Sequence, residues 1–165
     1  PNHWHLILQP RKDGDLSVFM HWLTLTHTQR WHAVKETIGT GHLYQGRYKA
    51  FPVQTDEYFL WVCRYVERNP LRARLVKRAE NWQWGSAWRR TNGKDRILLD
   101  QWPTEKPKNY MQWLNEIESE DLLEKLRISV NRGQPFGSES WRDRIIEKFG
   151  LQITVKSRGR PRKGT

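Results

Sequence analysis

Apolar positions change their period along this chain, and each change marks an element. From His3 to Gln9 the run "HWHLILQ" is apolar around two histidines, and Pro10 closes it. A run of this length and type predicts a strand, with His3 and His5 on one face and Trp4 and Leu6 on the other. Residues 11–15, "RKDGD", read as the turn after it. From Asp15 the period lengthens. "DLSVFMHWLTLTHTQRWHAVKET" predicts a helix capped by Asp15 or Ser17, with Val18, Trp22, Leu25, Trp31 and Val34 as its inner stripe. "GTGHL" breaks that helix.

"LYQGRYKAFPV" predicts a second strand, with Gly46 at a bulge and Pro52 near its end. Thr55 or Asp56 caps the next helix, "DEYFLWVCRYVERNP". Pro70 ends or kinks it at Asn69, because proline lacks the N–H that the ladder needs. "LRARLV" adds one more helical turn. After Arg90 the character changes. "TNGKDR" is a loop and "DQWPTEKPKNY" is proline-broken and extended. "MQWLNEIESEDLLEKLRISVNRG" is an acidic amphipathic helical stretch that Gly133 stops. "SESWRDRIIEKFG" is a shorter helix with Ser138 as cap and Gly150 as stop. The pattern divides the chain into a core from 1 to 90, a helical appendage from 91 to 150 and a flexible basic tail from 151 to 165.

Charge changes this picture more than composition does. The 165 residues carry a formal net charge of +11, with ten tryptophans and five tyrosines interleaved among the arginines. Rings that stack on bases and guanidiniums that hold phosphates point to nucleic acid rather than to a membrane surface. Between Trp61 and Arg90 stand eight Lys/Arg against Glu67 and Glu80, the densest positive segment outside the tail. We assign Arg64, Arg68, Arg72 and Arg74 from it to DNA contact, with Arg47, Tyr48 and Lys49 from "YQGRYK"; core packing is the competing reading for one of the tyrosines of that strand. The single cysteine, Cys63, excludes an internal disulfide and a cysteine metal cluster, and fits a reducing cytosol. No apolar run reaches membrane-spanning length.

Three groups of residues carry candidate chemistry. His3 and His5 on one strand face either chelate a divalent metal or are plain surface histidines. Tyr65 and Asn69, four apart, share a helix face. A phenolate beside a metal can attack phosphorus, and an amide oxygen one turn on can be a third ligand; the plain readings are a rim tyrosine and a helix cap. In the tail, Arg158, Arg160, Arg162 and Lys163 belong to "SRGRPRKGT". Its "RGRP" either lies along the narrow minor groove of A·T-rich duplex, as an AT-hook does, or is a nonspecific basic tail.

Taken together, "PNHWHLIL", "GHLYQGRYKAFPV", "EYFLWVCRYVERNPLRARLV" and "WQWGSAWRR" resemble the REP-associated tyrosine transposases, insertion-sequence-type single-tyrosine enzymes of the HUH nuclease superfamily. The likeness covers residues 1 to 90, and the "GQPFGSESW" and "RPRK" segments extend it weakly to the C-terminus. It implies an α+β fold: a ferredoxin-like antiparallel sheet with helices on one face, followed here by the helical appendage. The family carries a strand, a turn and a helix before its histidine strand. Against that pattern the chain starts inside the motif, so the expected core is N-terminally incomplete and its histidine strand exposes an unpaired edge. The resemblance further implies that His3, His5 and Asn69 bind Mg²⁺ or Mn²⁺ and that Tyr65 is the nucleophile. The product would be a 5′-phosphotyrosine link and a free 3′-OH on single-stranded hairpin DNA. It also implies a cytoplasmic, nucleoid-associated bacterial protein, acting as monomer or homodimer. Two other classes stay open: a DNA-binding protein that recognises hairpins or duplex without cutting, and a metal-dependent phosphodiesterase without strand transfer.

Overall fold

The computed structural model describes residues 3–93 and 99–156. Arg158, Arg160, Arg162 and Lys163 therefore lie outside the described residues, as does the "TNGKDR" loop from residue 94. The chain forms two units, residues 1–49 and 50–165.

The first unit is built on one long helix, α1 (Asp15–Lys35). Gly14, in the left-handed region at φ 87°, turns the chain into it, and the Lys12 amide donates to Asp15 Oδ2 at 3.2 Å. At its other end Glu36 adopts φ 55°, and the Thr37 amide donates to the His32 carbonyl at 3.0 Å. The expected inner stripe is uncovered. Val18 and Val34 are 71% and 78% exposed, and Trp22, Leu25 and Trp31 are exposed too; Met20 is the buried residue of the helix. The period was right for a helix, but a stripe is buried only when another element returns over it.

The second unit is a helical assembly. Its elements are α2 (Glu57–Glu67), α3 (Asn69–Arg72), a 3₁₀ turn (Ala79–Asn81), α4 (Ser86–Asn92), α5 (Tyr110–Asn115), α6 (Glu120–Arg132), α7 (Glu139–Phe149) and α8 (Gln152–Val155). Asp56 caps α2 through Oδ1, which accepts the Tyr58 amide at 2.9 Å. Pro70 separates α2 from α3, and Arg74, in the left-handed region at φ 57°, ends the extra turn. Gly133 and Gly150, at φ 71° and 64°, stop α6 and α7 where the sequence placed those stops. One apolar cluster gathers Val62, Leu126 and Phe136 between α2 and α6. A second gathers Ala79, Ala87, Tyr110 and Leu114 around Trp102.

The expected ferredoxin-like antiparallel sheet is not there. Among the described residues no strand forms, and the one sheet-like pairing is an isolated parallel bridge between Val53 and Phe136. In that bridge the Gln54 amide donates to the Phe136 carbonyl and the Phe136 amide to the Pro52 carbonyl, each at 2.9 Å. An extended run becomes a strand only when a neighbour takes up its N–H and C=O groups. Among the described residues "LYQGRYKAFPV" meets such a neighbour only at its end, where Pro52 and Val53 pair with Phe136, and the "HWHLILQ" run forms no ladder; Trp4, Leu6, Ile7 and Leu8 remain exposed.

Candidate active site

The expected active-site residues fall in both units, and each part is described by itself. In the first unit the alternation read from the sequence is realised without a sheet. The His3 and His5 rings meet edge to face, with centroids 5.2 Å apart and planes at 80°. Trp4 turns instead to Tyr44, with centroids 6.1 Å apart, and the Tyr44 hydroxyl lies 2.5 Å from His27 Nδ1. This Trp4–Tyr44–His27 chain ties the extended segment back to α1.

A divalent ion taken by the two adjacent imidazoles would have them as a two-nitrogen half-site. Among the described residues no group of three or more His, Cys, Asp or Glu gathers as a complete metal cage. The set expected from the sequence is completed by amide and phosphate oxygens. Such a mixed set suits Mn²⁺ better than Mg²⁺, which prefers oxygen throughout.

In the second unit Tyr65 lies on the last turn of α2 and Asn69 opens α3, both half-buried. The Arg72 guanidinium covers the Tyr65 ring, with Cζ 4.4 Å from its centroid, and donates to the Tyr65 carbonyl at 3.0 Å. Arg72 also pairs with Glu118 at 2.7 Å. Arg68 reaches the same carboxylate at 3.1 Å and donates to the Leu114 carbonyl at 2.7 Å. Arg64 is buried, stacks on Trp113 with Cζ 4.5 Å from the ring centroid, and donates to the Glu116 carbonyl at 2.8 Å. Burial is the largest influence on the Arg64 guanidinium and holds its pKa below the ordinary value.

These three arginines, assigned from sequence to DNA, are thus turned inward onto the end of α5 and onto Glu118. A helix C-terminus collects unsatisfied carbonyls and partial negative charge, which cationic donors complete. Arg74, Arg47 and Lys49 are exposed, and so is Tyr48, whose hydroxyl lies 3.3 Å from Ser17 Oγ.

Sequence reasoning missed the groups that hold α2 from the other side. Glu67 is buried. It accepts from Ser86 Oγ at 2.5 Å and from the Tyr110 hydroxyl at 2.8 Å. Cys63 is buried one turn before it; burial, then the Glu67 charge, pushes its thiol up to about 12. The acidic run from Glu116 to Asp121, opposite in sign to the basic run from Arg64 to Arg78, is a sequence signal for the arginine contacts with Glu118 but not for this network.

Residues 1–69 match the family model described as "Transposase IS200 like". This segment is similar to the IS200-like transposases. No curated protein and no solved structure matches the chain. The IS200-like segment contains His3, His5, Tyr65 and Asn69, together with Arg47, Tyr48, Lys49, Arg64 and Arg68; Arg72, Arg74 and the tail lie beyond it. The likeness is to proteins of DNA transposition. No helix among the described residues is long and apolar enough to cross a membrane.

Proposed function

We propose that the chain is a single-tyrosine DNA transposase that cuts and rejoins single-stranded DNA beside hairpins of the repeated palindromic type. Tyr65 Oη attacks the scissile phosphorus and its proton passes to solvent. The bond from phosphorus to the 3′ oxygen breaks, and that oxygen takes up a proton. The products are a 5′-phosphotyrosine link and a free 3′-OH. The link keeps the phosphoester energy, so the 3′-OH of another strand can attack it and regenerate Tyr65 without ATP. His3, His5 and Asn69 would hold a Mn²⁺ or Mg²⁺ ion, which supplies Lewis-acid polarisation of a phosphate oxygen.

The observation that carries this reading is the IS200-like match, which spans the histidine pair and ends on the turn after Tyr65. The Arg72 clamp adds to it. A half-buried phenol held under a guanidinium loses little rotamer freedom when it meets its target.

The test is incubation of the full chain with single-stranded hairpin DNA and Mn²⁺, followed by denaturing electrophoresis. A covalent adduct that maps to Tyr65 by mass spectrometry, and that disappears in Tyr65→Phe and in EDTA, is the expected result. Hairpin binding without any adduct would leave a DNA-binding protein that no longer cuts. An adduct on another tyrosine would overturn the assignment of the nucleophile.

A further inference from the structure

The second unit holds a cavity of about 560 Å³ bounded by α2, α6, the segment 134–137 and α7. That lies inside the range of about 300–1,000 Å³ typical of small-ligand sites. Most of its lining lies beyond residue 69, outside the IS200-like segment.

Two kinds of chemistry meet in it. One wall is aromatic: Tyr58, Trp61 and Phe136 stand with ring centroids 5.2, 5.4 and 6.5 Å apart, and Trp113, stacked with Arg64, also lines the cavity. The other feature is unspent donor capacity. The Nε atoms of Arg64 and Arg142 are buried without a hydrogen-bond partner. A donor held away from water with no acceptor is costly, and a ligand oxygen at that place removes the cost. The acidic groups nearby offset little of this. Asp121 is already paired with Lys125 at 2.7 Å, and Glu139 is exposed.

We propose that this cleft binds one unpaired nucleotide of single-stranded DNA, its base against the Trp61 wall and its phosphate on Arg142. The ligand class rests on the transposase reading above; the cleft itself does not. A purely apolar ligand would leave the guanidinium Nε atoms unsatisfied, and free phosphate would leave the rings uncovered. A nucleotide satisfies both. Trp61 lies one turn before Tyr65 on the same face of α2, about 6 Å along the axis. A base seated at Trp61 would fix the register of the strand whose phosphate meets Tyr65. The cleft is thus a positioning site, separate from the reacting atoms.

The test uses the full chain and a single strand of about 12 nucleotides carrying 5-bromodeoxyuridine, cross-linked by light and mapped by mass spectrometry. Cross-links on the peptides holding Tyr58, Trp61, Trp113 or Phe136 are expected. In equilibrium binding, Trp61→Ala should weaken the strand by about 5- to 150-fold, and an abasic strand of equal length should lose similarly. Arg142→Gln should weaken it several-fold and make the salt slope shallower by about one. Thymidine monophosphate should compete weakly and inorganic phosphate not at all; competition by phosphate equal to that by the nucleotide would show an anion site only and overturn the proposal. Cross-links confined to other peptides, or equal affinity for normal and abasic strands, would overturn it too.

Because cross-linking reads the unaltered protein, a variant that fails to fold leaves the outcome decidable. Cross-links at Trp61 without a Tyr65 adduct would keep the cleft and remove the nuclease reading. A Tyr65 adduct with affinity unchanged in Arg142→Gln would do the reverse.

Discussion

The guanidinium of Arg72 lies 4.4 Å over the ring of Tyr65, and the same side chain bonds the Tyr65 carbonyl and Glu118. Arg72 stands three residues beyond the IS200-like segment, and Glu118 stands far beyond it. The helix that presents the candidate nucleophile is therefore fixed by residues the family match does not include.

Arg72→Lys tests that clamp. Lysine keeps the charge but not the planar fork that serves a ring, a carbonyl and a carboxylate together. The expected cost is about 1–3 kcal/mol of stability, because Glu118 is left short of a donor in a buried place. Urea denaturation measures it. Adduct formation at saturating hairpin should slow while hairpin affinity stays within a few-fold, since the Arg72 guanidinium is spent within the protein. An affinity loss equal to the rate loss would show instead that Arg72 contacts DNA.

What could be read from the sequence was local. Gly133 and Gly150 stop their helices, Asp56 caps α2, and Pro70 breaks it where the missing N–H requires. The i, i+2 spacing of His3 and His5 predicts one face of a strand; no strand forms there, though the two rings lie edge to face. The sheet was not legible, because strand identity depends on partners that no single run of residues reveals. The roles of Arg64, Arg68 and Arg72 were not legible either. A basic residue near the surface and one that closes the end of a distant helix have the same local sequence. Only the acidic run from Glu116 to Asp121, far along the chain, marked the difference.

Tyr110→Phe probes the other support of α2. The Tyr110 hydroxyl donates to Glu67 at 2.8 Å, and the tyrosine is 1% exposed. Removing the hydroxyl leaves a buried carboxylate oxygen without its donor, at a cost of about 1–3 kcal/mol. Burial, and then the Glu67 charge, raises the Tyr110 phenol far above its ordinary value, so the hydroxyl stays protonated and donating throughout the physiological range. Urea denaturation of Tyr110→Phe should show this loss with an unchanged m-value, whereas Tyr48→Phe, on an exposed ring, should change stability by less than about 0.5 kcal/mol. Equal effects from the two variants would mean that the Tyr110–Glu67 bond contributes nothing net.

Glu80 gives the fold a dependence on acid. It sits in the 3₁₀ turn, accepts from Asn115 Nδ2 at 2.8 Å and from Arg78 Nε at 2.5 Å, and Asn115 Oδ1 in turn accepts the Ala79 amide at 3.0 Å. Burial alone would raise its pKa. The hydrogen bonds from Asn115, from backbone and from Arg78, with the Arg78 charge, outweigh burial and hold it below the ordinary 4.5. The folded protein thus binds this proton less readily than the unfolded chain does. The stabilisation is complete above about pH 4.5 and is lost as the pH falls through the folded-state value. Melting temperature measured from pH 7 down to about pH 3 should fall less steeply below about pH 4.5 in Glu80→Gln than in the unaltered protein. Asn115→Ala should show the same shallower limb, because it removes the largest of the lowering contributions, together with a loss of stability at neutral pH. An acid limb of unchanged steepness in both variants would mean that Glu80 titrates alike in the folded and unfolded chain, and that its bonds to Asn115 and Arg78 do not bind the 3₁₀ turn to α5.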